Sequence, residues 1–179
     1  MDGVELVSPG MVRDLACPWC GRAMPIDEAG MVAAQAAWGL CGAAARDAAG
    51  VSGLLLLSAA ASGDPQGTVA LVGAGWVRPD RTGRGVGREL VRAVAAALVR
   101  PRVAAVLAGS DAGGGCASLP PGFLDATGFT TMRAPGLWRL DLVTTVKVPK
   151  RSVLDRLGAL VQTIRPVGPP EPARRQSIR

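Results

Sequence analysis

The chain has 179 residues, 49% of them hydrophobic and 19% charged, enough to bury one good core and too few for two. It contains no histidine and no tyrosine, so a Ser-His-Asp or Cys-His nucleophile system has no base, a histidine metal site has no ligand, and phenolic proton donors are excluded. The net charge of +6 would suit an anionic partner, but all of the 20 basic residues except Lys147 and Lys150 are arginine, a bias typical of GC-rich coding that speaks for a solvated surface over nucleic-acid binding.

Residues 1–30 carry Cys17-Pro-Trp-Cys20-Gly21 and no clear periodicity, and read as a loop-rich N-terminal segment. The start Met-Asp-Gly-Val-Glu lacks the basic and apolar stretches of a secretory signal. The greasiest run, 53–61, is far short of the ~18–20 residues needed to cross a bilayer. A cytoplasmic protein with no membrane partner is expected, its four cysteines remaining thiols. Cys17 and Cys20 have the spacing of half a zinc knuckle, but Cys41 and Cys116 are single and badly spaced, so no metal site is expected. A thioredoxin-like role would want the pair between a strand and a helix, which this stretch does not offer. Residues 31–47 are alanine-rich and could contain a helix despite Gly39 and Gly42.

From Val51 onward the pattern sharpens. Residues 54–60 and 68–77 read as strands separated by the turn set Ser62-Gly63-Asp64-Pro65-Gln66-Gly67. The glycine-rich stretch Thr82-Gly83-Arg84-Gly85-Val86-Gly87 then leads into 88–99, where Leu90, Val94 and Leu98 recur along one face of an amphipathic helix. Arg100-Pro101 stops that helix, and 103–108 is a continuously apolar, buried strand. Strand, glycine loop, helix and strand in that order imply a crossover between parallel strands. Residues 121–127 read as a short helix ended by Gly128, and 129–133 and 137–143 as a hairpin about Ala134-Pro135-Gly136. Ser152 caps an expected last helix through Ile164, and the Pro- and Arg-rich remainder reads as a disordered tail.

Successive backbone N–H groups at a helix N-terminus make a seat for a diphosphate. Gly83, Gly85 and Gly87 let the chain bend tightly there, with Arg81, Arg84 and Arg88 at the rim. A P-loop would need Gly-Lys-Ser/Thr at its end, and a dinucleotide fingerprint would space its glycines differently and follow the strand directly. The remaining reading, a tight structural turn, is weakened by the flanking strand and helix.

Val77-Arg-Pro-Asp-Arg-Thr-Gly-Arg-Gly-Val-Gly-Arg-Glu-Leu-Val resembles the acetyl-coenzyme A binding motif of the GNAT acetyltransferase superfamily. Phe123-Leu-Asp-Ala-Thr-Gly128-Phe129 is similar to that superfamily's later motif, and the stretch from Cys116 through Arg139-Leu-Asp-Leu resembles a GNAT subgroup common in high-GC bacteria. The resemblance, from about Cys17 to Ile164, implies a mixed α/β (α+β) fold. Its central sheet would be mostly antiparallel with one parallel βαβ crossover, flanked by helices. It divides the chain into the segment 1–30, a GNAT-like domain 31–164 and a basic tail 165–179.

The activity so implied is direct transfer of an acetyl group from acetyl-CoA, the cosubstrate, to an amine on a small molecule or peptide. Backbone groups of Thr82, Gly83, Arg84, Gly85, Val86, Gly87 and Arg88 would hold the pyrophosphate. A strand-end N–H at Val77, beside Trp76, would polarise the thioester carbonyl. An amine with a pKa of about 10.4 has to lose a proton before it attacks. No carboxylate lies in 68–77, so the base would be Asp64, Asp111 or a water chain. Thr82 stands where the superfamily usually has Arg or Gln, and Leu124 stands where many members carry a tyrosine acid. Protonation of the leaving thiolate would then fall to Cys116, Ser118 or water. These departures leave open a second reading, a catalytically weak or inactive GNAT fold that binds acyl-CoA as a sensor or scaffold. A zinc-dependent interaction module is a third.

Overall fold

Leu54, Leu55, Leu56 and Leu57 put apolar side chains on both faces of one stretch, which therefore has to be covered on both sides. The computed structural model describes residues 3–12, 15–24, 26–59, 69–110 and 118–142, all within one compact unit, Met1–Lys147. The four leucines lie in strand β3 (Gly50–Ala59) and are at most 4% exposed. Around β3 the sheet is built from β1 (Gly3–Leu6), β2 (Gly42–Asp47), β4 (Val69–Val77), β5 (Ala105–Gly109), β6 (Thr130–Thr131) and β7 (Leu137–Asp141). Its order is β1-β2-β3-β4-β5-β7-β6. Every pairing is antiparallel except β4 with β5, the mixed and mostly antiparallel sheet expected from the sequence.

Two helices cover the two faces. Helix α1 (Glu28–Trp38) starts at Asp27, whose carboxylate accepts the Gly30 N–H at 2.9 Å, and buries Met31, Ala34 and Trp38. It lies so close to β3 that a Cβ on Gly30 would sit 2.6 Å from the Ser58 Cβ. Helix α2 (Val86–Val99) buries Leu90, Val91, Val94 and Leu98, and meets β3 from the other side, where a Cβ on Gly53 would strike Val86 and Leu90. Residues 54, 56 and 58 thus face α1, and 53 and 55 face α2. Helix α3 (Pro121–Ala126) adds Phe123 and the fully buried Leu124 on the α2 side.

The alanine-rich stretch divides differently from the sequence expectation. The helix begins earlier and stops at Gly39, and 42–47 is strand β2, although alanine is the best helix former. Its small side chains at Ala43, Ala44 and Ala45 are buried between two neighbouring strands, so tertiary pairing overrides local propensity. The N-terminal segment, read as loop-rich, also contributes the edge strand β1, too short to show a period. The expected helix from Ser152 and the tail 165–179 lie outside the described residues.

Leu57 is completely buried, and truncation there leaves a void that the sheet cannot close from either face. Leu57→Ala is expected to lower unfolding stability by about 3 kcal/mol, read as a shift in the chemical denaturation midpoint at unchanged slope. A loss below about 1 kcal/mol would contradict this packing.

Candidate functional site

The glycine stretch leaves β4 through a tight turn, Pro79–Arg81, closed by the Arg81 N–H on the Arg78 carbonyl at 2.9 Å and the Thr82 N–H on Pro79 at 3.3 Å. Gly83 (φ +76°) and Gly85 (φ +87°) adopt the left-handed region, and α2 starts directly after. The Arg84 N–H turns back onto the Arg81 carbonyl at 3.3 Å, and the first helical bond is Glu89 N–H to Gly85 at 3.0 Å. Among the described residues the N–H groups of Gly83, Gly85, Val86, Gly87 and Arg88 therefore have no backbone acceptor. They cluster at the positive end of a 14-residue helix, on an exposed or half-buried surface. Gly87 has a packing role as well, since a Cβ there would lie 2.7 Å from the Phe123 ring.

Thr82 behaves otherwise than a phosphate donor would. Its N–H closes the turn and its hydroxyl donates to the Arg78 carbonyl at 3.3 Å, so the side chain stiffens the loop. Arg81, expected at the rim, points inward to Asp47, with Nη2 to Oδ2 at 2.6 Å. Arg84 and Arg88 are exposed and make no ion pair among the described residues.

Asp47 is the hub of this loop, and the sequence reading did not single it out. At the end of β2 its carboxylate is 2% exposed and takes a bidentate pair of bonds from Arg78, at 3.2 and 2.7 Å. It also receives the Ala49 N–H at 2.9 Å. The Arg78 guanidinium holds the Asp47 carboxyl below the usual carboxylate range, helped by the Ala49 N–H and the charge of Arg81. Arg78 bonds Asp80 as well, at 2.6 Å, lowering that carboxyl in the same way, and its own proton is held more firmly than usual by Asp80 and Asp47. The Asp47-Ala-Ala-Gly50 turn is a local signal, but its partners are 31 and 34 residues away.

The loop's other neighbour is the outer edge of β4. This strand pairs with β5 only from Val69 to Val72; Gly73 is then a bulge against β3, and Ala74 to Val77 continue with β3 alone. The two parallel strands thus part beyond Val72 and Ala108. The Arg78 N–H bonds the Ser52 carbonyl at 2.9 Å, so Val77, one residue earlier, turns its N–H and C=O to the unpaired edge. The Val77 carbonyl there receives the indole N–H of Trp19 at 2.9 Å. Trp76 is on the α1 face, 9% exposed, in the core and not at the loop. Across the parting, half-buried Ser118 precedes Leu119, whose side chain packs over Gly75 and whose N–H reaches the Gly109 carbonyl at 3.4 Å. Cys116, Asp64 and Asp111 lie outside the described residues. Leu124 is wholly buried and offers no proton.

Between α2 and α3 a cleft of about 350 Å³ is lined by Arg88, Val91, Arg92, Ala126 and Thr127. It shares Arg88 with the amide cluster and adds one further cation, Arg92. Among the described residues no three His, Cys, Asp or Glu side chains converge as metal ligands. Cys17 is buried and Cys20 exposed, both as thiols. Burial pushes the Cys41 thiol up to about 11, and it donates to the Val7 carbonyl at 3.3 Å, so it is a protonated core residue.

No protein-family profile matches the chain, and no curated protein matches it in sequence. Solved structures do match in shape. An N-acetyltransferase from Staphylococcus aureus Mu50 superposes with a TM-score of 0.57 at 10% identity, over 79% of this chain and 99% of that one. The yncA protein of Salmonella typhimurium, with its cofactor acetyl-CoA, gives 0.56 at 14% identity over 79% and 94%. The Escherichia coli GNAT family N-acetyltransferase YhbS, in complex with CoA, gives 0.50 at 21% identity over 79% and 81%. The fold is the GNAT fold. In a GNAT fold of this chain, the amide cluster, the parted strands and the Val77 edge all lie at one end of β4. No helix of the described residues is long and apolar enough to cross a membrane.

Proposed function

We propose that this protein is an acetyl-CoA-dependent N-acetyltransferase of the cytoplasm that moves the acetyl group directly to a primary amine. The observation that carries the reading is the set of five backbone N–H groups, at Gly83, Gly85, Val86, Gly87 and Arg88, without a backbone acceptor among the described residues at the N-terminus of α2. They fit a diphosphate, with Arg84 and Arg88 beside them. In this reading the Val77 N–H, on the unpaired edge of β4, faces the oxygen of the thioester carbonyl, where negative charge grows as the amine attacks. The amine nitrogen bonds to the carbonyl carbon, the carbon–sulfur bond breaks, and the thiolate takes a proton. Asp64, Asp111 or a water chain removes the amine's proton, and Ser118, Cys116 or water protonates the sulfur. The solved GNAT-fold structures with acetyl-CoA or CoA support the choice of ligand.

The buried Leu124 and the inward hydroxyl of Thr82 favour a second reading, a GNAT fold that binds acyl-CoA without turning it over. Calorimetric titration with acetyl-CoA, followed by thiol release in the presence of a panel of primary amines, separates the two. Binding with amine-dependent thiol release is expected. Tight binding with no release from any amine leaves only the second reading, and no binding removes both.

A further inference from the structure

The Cys17-Pro-Trp-Cys20 segment supplies none of the groups assigned to acetyl-CoA. Residues 15–24 form a small hairpin, tied by an Ala16–Ala23 bridge, the Cys17 N–H on Arg22 at 2.8 Å and the Met24 N–H on Leu15 at 3.2 Å. Its buried Cys17 and Met24 pin it to the core, and the Gly21 N–H on the Cys17 carbonyl at 2.8 Å closes its tip. Trp19 sits at that tip. The residue is 59% exposed, which is costly for the largest apolar side chain. Yet it is fixed in place, because its N–H is bonded to Val77, 58 residues away. A flat apolar face is thereby held at the residue whose own N–H faces the parted strands. Arg22, three residues on in the same hairpin, is exposed and disfavours an acceptor carrying several ammonium groups.

Resting on the reading of the loop given above, we propose that Trp19 is the acceptor-side wall of the site and selects a primary amine attached to a flat, apolar group. The ring stacks on that group while the Val77 bond keeps the wall in register with the strand end. Trp19 is a specificity-determining and positioning residue and takes no part in proton transfer.

Two readouts test this. In turnover, 2-phenylethylamine is expected to exceed spermidine in kcat/KM by about tenfold or more. Trp19→Ala should raise the KM for 2-phenylethylamine about tenfold with kcat and the acetyl-CoA Kd unchanged, and Trp19→Phe, which keeps a flat ring but loses the bond to Val77, should restore only part of the KM. Independently of turnover, protein labelled with 5-fluorotryptophan is titrated with 2-phenylethylamine, alone and saturated with CoA. The fluorine resonance lost in Trp19→Phe should shift, and that of buried Trp38 should not. An unmoved Trp19 resonance in both titrations, or a Trp19→Ala variant with unaltered acceptor KM, overturns the inference. A calorimetric blank with CoA instead overturns the reading of the loop, and the amine-alone titration still decides on Trp19.

Discussion

Gly85→Asp is expected to weaken acetyl-CoA binding severely while leaving a folded protein. Nothing lies within 4 Å of a Cβ built on Gly85, so the new side chain is not refused by sterics. The left-handed φ of +87° costs an L-residue on the order of 1 kcal/mol, least for Asp and Asn, and a carboxylate at a helix N-terminus recovers part of that. The same carboxylate occupies the centre of the amide cluster. It accepts the N–H groups offered to a diphosphate and repels its charge. Losing two charge-assisted hydrogen bonds at about 1.5–3 kcal/mol each weakens affinity by roughly 100-fold or more. Calorimetry with acetyl-CoA and thermal unfolding on the same sample give both halves of the result. Affinity within threefold of wild type would remove the loop from the binding site.

The second large effect is at Asp47. Asp47→Asn keeps the shape but takes the anion from two arginines that meet it at 2.7 and 2.6 Å. A carboxylate 2% exposed with two guanidinium partners is the sort of pair whose one-sided loss is strongly destabilising. Arg78 keeps Asp80, but Arg81 loses its link to the β2 end, and the turn that aims Gly83 and Gly85 is no longer braced. Acetyl-CoA affinity should fall about tenfold, with a drop in melting temperature of roughly 5 °C or more. Acid sensitivity supplies a second signature. The Asp47 carboxyl titrates lower in the folded chain than in the unfolded one. Its stabilisation is therefore complete above the unfolded value of about 3.9 and is lost as pH falls through the folded value. Asp80 acts in the same direction. Wild type should thus lose more stability than Asp47→Asn between pH 6 and pH 3, and parallel denaturation profiles would show that Asp47 is not the hub.

The crossover from β4 through the glycine loop to α2 and β5 was legible because its signals are local. Leu90, Val94 and Leu98 mark one helical face, Pro101 marks its end, and Gly83 and Gly85 stand where φ is positive. The antiparallel β6–β7 hairpin was legible for the same reason. What escaped was carried by long-range pairing. Ala43, Ala44 and Ala45 form a strand only because β1 and β3 flank them. Asp47 is a turn residue until Arg78 arrives from 31 positions away, and Trp19 is a stray aromatic until its N–H meets Val77. Within the loop, counting candidate donors overstated Thr82 and Arg81, because a tight turn consumes some of its own polar groups before a ligand can use them.

The central claim, that main-chain amides at the head of α2 seat the diphosphate of acetyl-CoA, is tested most directly by following the backbone amides themselves. In a proton–nitrogen correlation experiment, titration with acetyl-CoA should move the Gly83, Gly85, Gly87 and Arg88 resonances furthest, together with Val77. Saturable binding that leaves those five unmoved and shifts amides elsewhere would contradict it.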